Sequence, residues 1–182
     1  MSDIRRLGFN MASTNSEDIY SLIGFALTYI QSVEKSISFV TTYVLQDDDP
    51  LTIEKLNSIE AKERKKALGY FINKVKERAI LAPPLENLLA GYLKNRNDFI
   101  HSHDQIPGWD LHTEEGRNVA KKFTVNLWRQ AHKINEIFAA LVTRWQEQTG
   151  IYPPHSHGGE EYLKEIDEKY GAFIDVLFTS KS

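Results

Sequence analysis

Cysteine is absent from the 182 residues. That excludes a disulfide framework, a Cys-ligated zinc site, an iron–sulfur cluster and a thiol nucleophile. It also fits a reducing compartment. Long apolar runs are missing as well. The longest near-apolar stretch, residues 22–30, is interrupted by Gly24 and Thr28 and is far too short to span a bilayer. No apolar core of signal-peptide length follows Arg5 and Arg6. The expectation is a cytoplasmic protein without a membrane partner. An excess of positive charge is lacking too. With 22 Lys and Arg against 25 Asp and Glu, the formal charge is -3, so any polyanion must be met by a local patch. No glycine-rich phosphate loop, Gly-x-Ser-x-Gly elbow or His-Glu-x-x-His pair is written in the chain. Neither sustained period-two alternation nor a repeat of 20–50 residues occurs.

What is present is helical periodicity. Ser16-Glu17-Asp18 offers a cap followed by first-turn acids. Apolar residues then recur in threes and fours at Ile19, Leu22, Ile23, Ala26, Ile30, Val33, Ile37, Val40 and Val44. Asp47-Asp48-Asp49-Pro50 stops this helix. A second segment runs from Thr52 to about Ala82, with Gly69 inside it, and Pro83-Pro84 ends it. A third spans about 85–103. A fourth starts at Thr113-Glu114-Glu115 and ends at Gly150, with Ala120, Phe123, Leu127, Ala131, Ile134, Phe138, Leu141 and Trp145 as its stripe. After a Pro/Gly loop, an acidic helix covers 160 to about 178. The expected fold is an all-α antiparallel bundle of four main helices plus a C-terminal helix. Residues 1–15 read as an N-terminal extension, 16–150 as the bundle, and 151–182 as loop and acidic helix.

One arginine stands out. On a wheel of about 100° per residue with Leu85 at zero, Leu88, Leu89, Tyr92, Phe99 and Ile100 fall within about 60° of that direction. Arg96 falls near 20°, inside the apolar stripe, while Asn97 and His101 share a flank at spacing i, i+4. A guanidinium does not discharge, so Arg96 needs a counter-charge, a cavity or a partner chain. An acid such as Asp18, Glu34 or Glu136 would make it a structural ion pair. A phosphate would make it a site.

The stretch Leu93-Lys94-Asn95-Arg96-Asn97-Asp98-Phe99-Ile100-His101 resembles the signature of the HEPN superfamily: Arg, a polar residue, and His after a short spacer. The spacer here is four residues, the polar residue is Asn97, and Phe99-Ile100 supply the apolar positions before His101. The resemblance is specific over 85–103 and architectural over 16–150. It implies a compact helical bundle that dimerises with two motifs facing each other. It also implies metal-independent endoribonuclease activity without a cofactor, as in toxins, antiviral defence or RNA processing, with an antitoxin or regulatory protein as a further partner. Carried over, Arg96 holds phosphate, His101 is the general acid or base in 2′-hydroxyl attack, and Asn97 is auxiliary. The alternative within the same resemblance is a non-catalytic dimeric module that binds nucleotide, RNA or a protein.

Those residue types suit the chemistry. Imidazole exchanges protons near neutrality, and guanidinium offers a charged planar fork to two phosphate oxygens. Basic residues that would meet RNA are Lys62, Lys65 and Lys66 on the second segment and Lys121, Lys122 and Arg129 on the fourth. Asp98 is extra negative charge beside the motif. His101-Ser102-His103 and His155-Ser156-His157 place imidazoles close together but lack the further ligands a metal requires. Trp109 suits a cap on the bundle, or a platform for a base. Trp128 and Trp145 suit core or interface.

Overall fold

The structure is a computed structural model that describes residues 15–45, 58, 66–149 and 160–180. Helix α1 spans Ser16–Phe39 and continues as a π-helical turn, Val40–Val44. Helix α2 is Leu68–Arg78, followed by strand β1, Ala79–Leu81. Helix α3 is Pro83–His101, trailed by a 3₁₀ turn at His103–Gln105. Helix α4 is Glu114–Thr149, α5 is Glu160–Leu177, and strand β2 is Phe178–Ser180. The described residues are overwhelmingly helical, as the 3.6-residue periodicity requires. No helix among them is long and apolar enough to cross a membrane.

The caps differ in part from the sequence reading. At α1 the side chain of Asn15, not Ser16, accepts the Asp18 amide at 2.8 Å. At α4, Thr113 Oγ1 accepts the Gly116 amide at 3.2 Å, as its position suggests. The end of α1 widens into a π turn: the Leu45 amide reaches Val40 O at 2.9 Å, five residues back. Thr41 Oγ1 donates to Ile37 O at 2.7 Å, and Arg78 Nη1 donates to Thr41 O. A cation thus meets carbonyls that a helix end leaves unpaired.

The chain forms two compact units. One comprises residues 1–33 and 90–132, the other 34–89 and 133–182. In the first, Leu22, Val125 and Trp128 are buried together, with Phe25 and Tyr29 packed against them. Ala26, Ile30, Ala120, Leu127 and Ala131 are fully enclosed. In the second, α2 buries Leu68, Phe71, Ile72 and Val75 at helical spacing. Leu85, Leu89, Ile134, Phe138, Ile166 and Ile174 are buried in the same unit. The acidic helix α5 is therefore a packing element with its own apolar face.

The two strands were not legible as such. Residues 79–81 pair antiparallel with 178–180, in the register Ala79↔Ser180, Ile80↔Thr179, Leu81↔Phe178. The Ala82 amide extends the pairing to Leu177 O at 3.2 Å. A residue before proline is pushed out of the α region. The helix expected to reach Ala82 ends at Arg78, and the extended remainder finds a distant partner.

Two consequences are measurable. A Cβ on Gly116 would lie 2.1 Å from Asp110 O and 2.6 Å from Asp110 Cβ. Alanine normally improves a helix by about 1 kcal/mol over glycine, but here the loop backbone must move. Gly116→Ala is expected to lower stability by about 1–3 kcal/mol in urea unfolding. An unchanged or raised midpoint would show that the loop yields freely.

The second concerns α5. Lys169 Nζ lies 2.7 Å from Glu136 Oε1, and the Tyr170 hydroxyl donates to Glu136 Oε2 at 3.1 Å. Burial pushes the Tyr170 phenol up, and the Glu136 charge adds to that. Burial pulls Lys169 down, but the bond to Glu136 and its charge outweigh this, so the net shift is upward. Both groups hold their protons more tightly folded than unfolded. Their contribution is complete below their ordinary values of about 10 and is lost as pH rises through the raised folded values. Wild-type stability is expected to fall in that alkaline window, and Glu136→Gln to flatten the fall. Parallel pH profiles of the two proteins would refute the coupling.

Candidate functional site

The last two turns of α3 carry Arg96, Asn97 and His101. Arg96 Nη1 donates to Asn97 Oδ1 at 3.1 Å and lies 3.4 Å from His101 Nε2. A guanidinium has no acceptor, so Nε2 accepts this contact only in the tautomer that carries its hydrogen on Nδ1. Asn97 and His101 are exposed and Arg96 is half-buried. The three groups therefore converge on a surface open to solvent.

Arg96 is half-buried on the face of α3 whose buried members are Leu85, Leu89, Tyr92 and Phe99, as the wheel expects. In the C-terminal half of α3, the contacts to α4 run through Asn95, whose Nδ2 donates to Gln130 Oε1 at 2.9 Å, and through Phe99, stacked on Phe123 at 6.4 Å. These two residues lie near -80° and -40° on the same wheel, to one side of Arg96. Of the acids considered as partners, Glu136 is engaged with Lys169 and Tyr170. Asp18 acts on Lys121. Asp98, the negative charge beside the motif, is bound by Lys94 at 2.7 Å.

The basic residues divide. Lys121 is only 9% exposed, and burial lowers its proton affinity against the pull of Asp18, which makes it a poor contact for RNA. Lys122 and Arg129 are exposed on α4, seven residues apart, with exposed Asn126 between them. Lys66 is exposed and lies 5.3 Å from the Tyr70 ring centroid. Lys62 and Lys65 lie outside the described residues, as do His155 and His157. Farther along the second segment, Lys74 pairs with Glu77, Lys76 with Glu86, and Arg78 with the Thr41 carbonyl. Much of that segment's positive charge holds the fold. Among the described residues, no three His, Asp or Glu side chains gather where a metal ion could be held.

Trp109 does cap the unit. Its ring meets Phe99 and Phe123 edge-on at 6.2 and 6.0 Å, and His103 at 5.9 Å. Trp128 is buried and stacked on His132 at 5.3 Å. The sequence reading missed that His132 Nδ1 is hydrogen-bonded to the Tyr29 hydroxyl at 2.8 Å. No local pattern links residues about a hundred positions apart. It also missed a cleft of about 240 Å³ bordered by Tyr20, Ile23 and Leu27 of α1 and by Ile100 of α3. There a signal existed: Tyr20, Ile23 and Leu27 repeat at i, i+3, i+7, a second apolar stripe beside the buried one.

The chain matches no protein-family model, no curated protein and no solved structure. The chemistry of the site must therefore be argued from its own geometry.

Proposed function

We propose that the chain is a HEPN-like, metal-independent endoribonuclease acting as a homodimer, with Arg96 and His101 as its catalytic pair. The observation that carries this reading is the convergence of the Arg96 guanidinium, the His101 imidazole and the Asn97 carboxamide on one exposed face. When the Arg96 guanidinium turns to phosphate, the Nε2 lone pair is released and takes the proton of a ribose 2′-hydroxyl. The freed oxygen attacks phosphorus, the bond to the 5′-oxygen breaks, and that oxygen leaves with a proton from solvent or from a second copy's imidazole. The products are a 2′,3′-cyclic phosphate and a 5′-hydroxyl. Arg96, half-buried and always charged, neutralises the non-bridging oxygens through two parallel N–H bonds. Asn97 keeps the fork oriented. Lys122 and Arg129 are exposed cations on α4 that meet the strand. Within this reading, a toxin or antiviral-defence role with a regulatory protein partner follows from the family resemblance alone.

The openness of the site favours a second reading: a module that binds nucleotide, RNA or protein without turnover. Among the described residues nothing shuts water away from the exposed His101, and closure by a second copy would supply that. Incubating mixed-sequence RNA with the pure protein in EDTA separates the two. Cyclic phosphate ends support the nuclease. Intact RNA with retained affinity supports the module.

A further inference from the structure

A cavity of about 470 Å³ opens in the second compact unit, between the end of α1 and the middle of α4. Its volume falls in the range of small-molecule sites, about 300–1,000 Å³. Its polar groups gather at one end. There Ser36 Oγ donates to Asn135 Oδ1 at 3.2 Å and ties the two helices together. That bond occupies the carboxamide oxygen and leaves the two N–H donors of Asn135 Nδ2 for a ligand. Lys35, next to Ser36 on α1, also lines the cavity and is exposed, and no acid among the described residues is paired with it.

One to two turns further along both helices the walls become apolar. Val40 and Phe138 are enclosed and make the inner wall, with half-buried Ala139 and Val142 beside them. Phe39 stands at the rim and is 45% exposed, unusual openness for so large an apolar side chain. Val40 also opens the π-helical turn, a helix irregularity that recurs at functional sites.

That ordering along one axis selects the occupant. A ligand that fits has an anionic, hydrogen-bonding head and an apolar tail. One ammonium and one carboxamide match a single charge and two acceptor oxygens. A phosphomonoester would bring further negative charge that the apolar walls leave unmatched. The step from Asn135 to Val142 is about 10 Å along the helix axis, the length of an alkyl chain of about eight carbons.

We propose that this cavity binds a medium-chain aliphatic carboxylate, its head held by Lys35 and Asn135 and its chain laid against Phe39, Phe138 and Val142. The cavity shares no residue with the Arg96–His101 site, so the proposal stands whether or not the chain cleaves RNA.

The probe is octanoate, with 1-octanol as its uncharged counterpart, each titrated into the full chain below the concentration at which micelles form. Binding is read by calorimetry and by the methyl resonances of Val40 and Val142, with the oligomeric state followed by light scattering. The expected result is saturable one-to-one binding of octanoate, about tenfold tighter than octanol, as one charge-assisted hydrogen bond supplies. Lys35→Ala, at an exposed position, should lose that preference while octanol binds as before. Ala139→Leu fills the cavity and should weaken both ligands by about tenfold or more. If that variant fails to fold, Lys35→Ala still decides the matter. Equal affinity of wild type for the two ligands, or no saturation by octanoate, would overturn the proposal. Methyl shifts confined to Ile23 and Leu27 would overturn it too, by placing the chain in the cleft beside α3. A change of oligomeric state on adding octanoate would likewise overturn it, because the groove would then belong to a protein interface.

Discussion

His101→Ala is expected to reduce RNA cleavage in EDTA by about 10²–10⁴-fold, the usual loss when a positioned general base is removed. The side chain is exposed and lies 3.4 Å from the Arg96 guanidinium, so its removal leaves the core untouched. Thermal stability should remain within about 0.5 kcal/mol of wild type. Arg96→Ala removes the cation that offsets charge on the transferring phosphoryl group and should lose about 10²–10³-fold. Arg96→Lys is the more discriminating variant. It keeps the charge but not the planar fork, and the fork is what two phosphate oxygens read. Restoration of full activity by lysine would show that charge alone suffices. Undiminished cleavage in His101→Ala, with its cyclic phosphate ends intact, would falsify the assignment of the pair.

Phe138→Ala carries the largest expected loss of stability. Phe138 is fully buried on α4 and meets the ring of Phe178 edge-on, with centroids 5.8 Å apart. Truncation removes the transfer energy of a ring and leaves a cavity that rigid helices collapse poorly, a loss of about 3–5 kcal/mol. For a domain of ordinary stability this approaches half of the total. Because Phe178 lies in β2, the variant should also loosen the β1–β2 pairing. Amide exchange at Ile80 and Thr179 should then rise more than exchange in the first turns of α1. A loss below 1 kcal/mol would mean that the ring's space is readily refilled.

Helices with an uninterrupted stripe were legible to within a residue or two. Fourth and last helices expected from Glu114 and Glu160 start there, and Ile19, Leu22, Ala26, Ile30, Val33, Ile37 and Val40 are buried as their spacing requires. The motif was legible because Arg96, Asn97 and His101 are neighbours on one helix, where geometry follows from spacing alone. Contacts that depend on another helix were not. The wheel placed Arg96 among apolar neighbours, but it could not show the Asn95–Gln130 bond and the Phe99–Phe123 stack, which depend on α4. Charge read from sequence also misled. Lys121 is buried, Lys74 pairs with Glu77 within its own helix, and Lys76 and Arg78 tie α2 to other elements. The acidity of α5 concealed an apolar face built on Ile166 and Ile174.

The short ladder between β1 and β2 has a consequence for how the molecule comes into being. Its partners stand about a hundred positions apart. On the ribosome, residues 79–81 emerge long before residues 178–180 exist, so their amides must be satisfied by water while α3 and α4 are made. Closing so long a loop carries an entropic penalty that only already-ordered intervening helices reduce. The ladder therefore forms as a late event, after the helices between its strands have packed. A chain halted before its last few residues would present Ile80, already 56% exposed in the finished fold, on an unpaired strand edge.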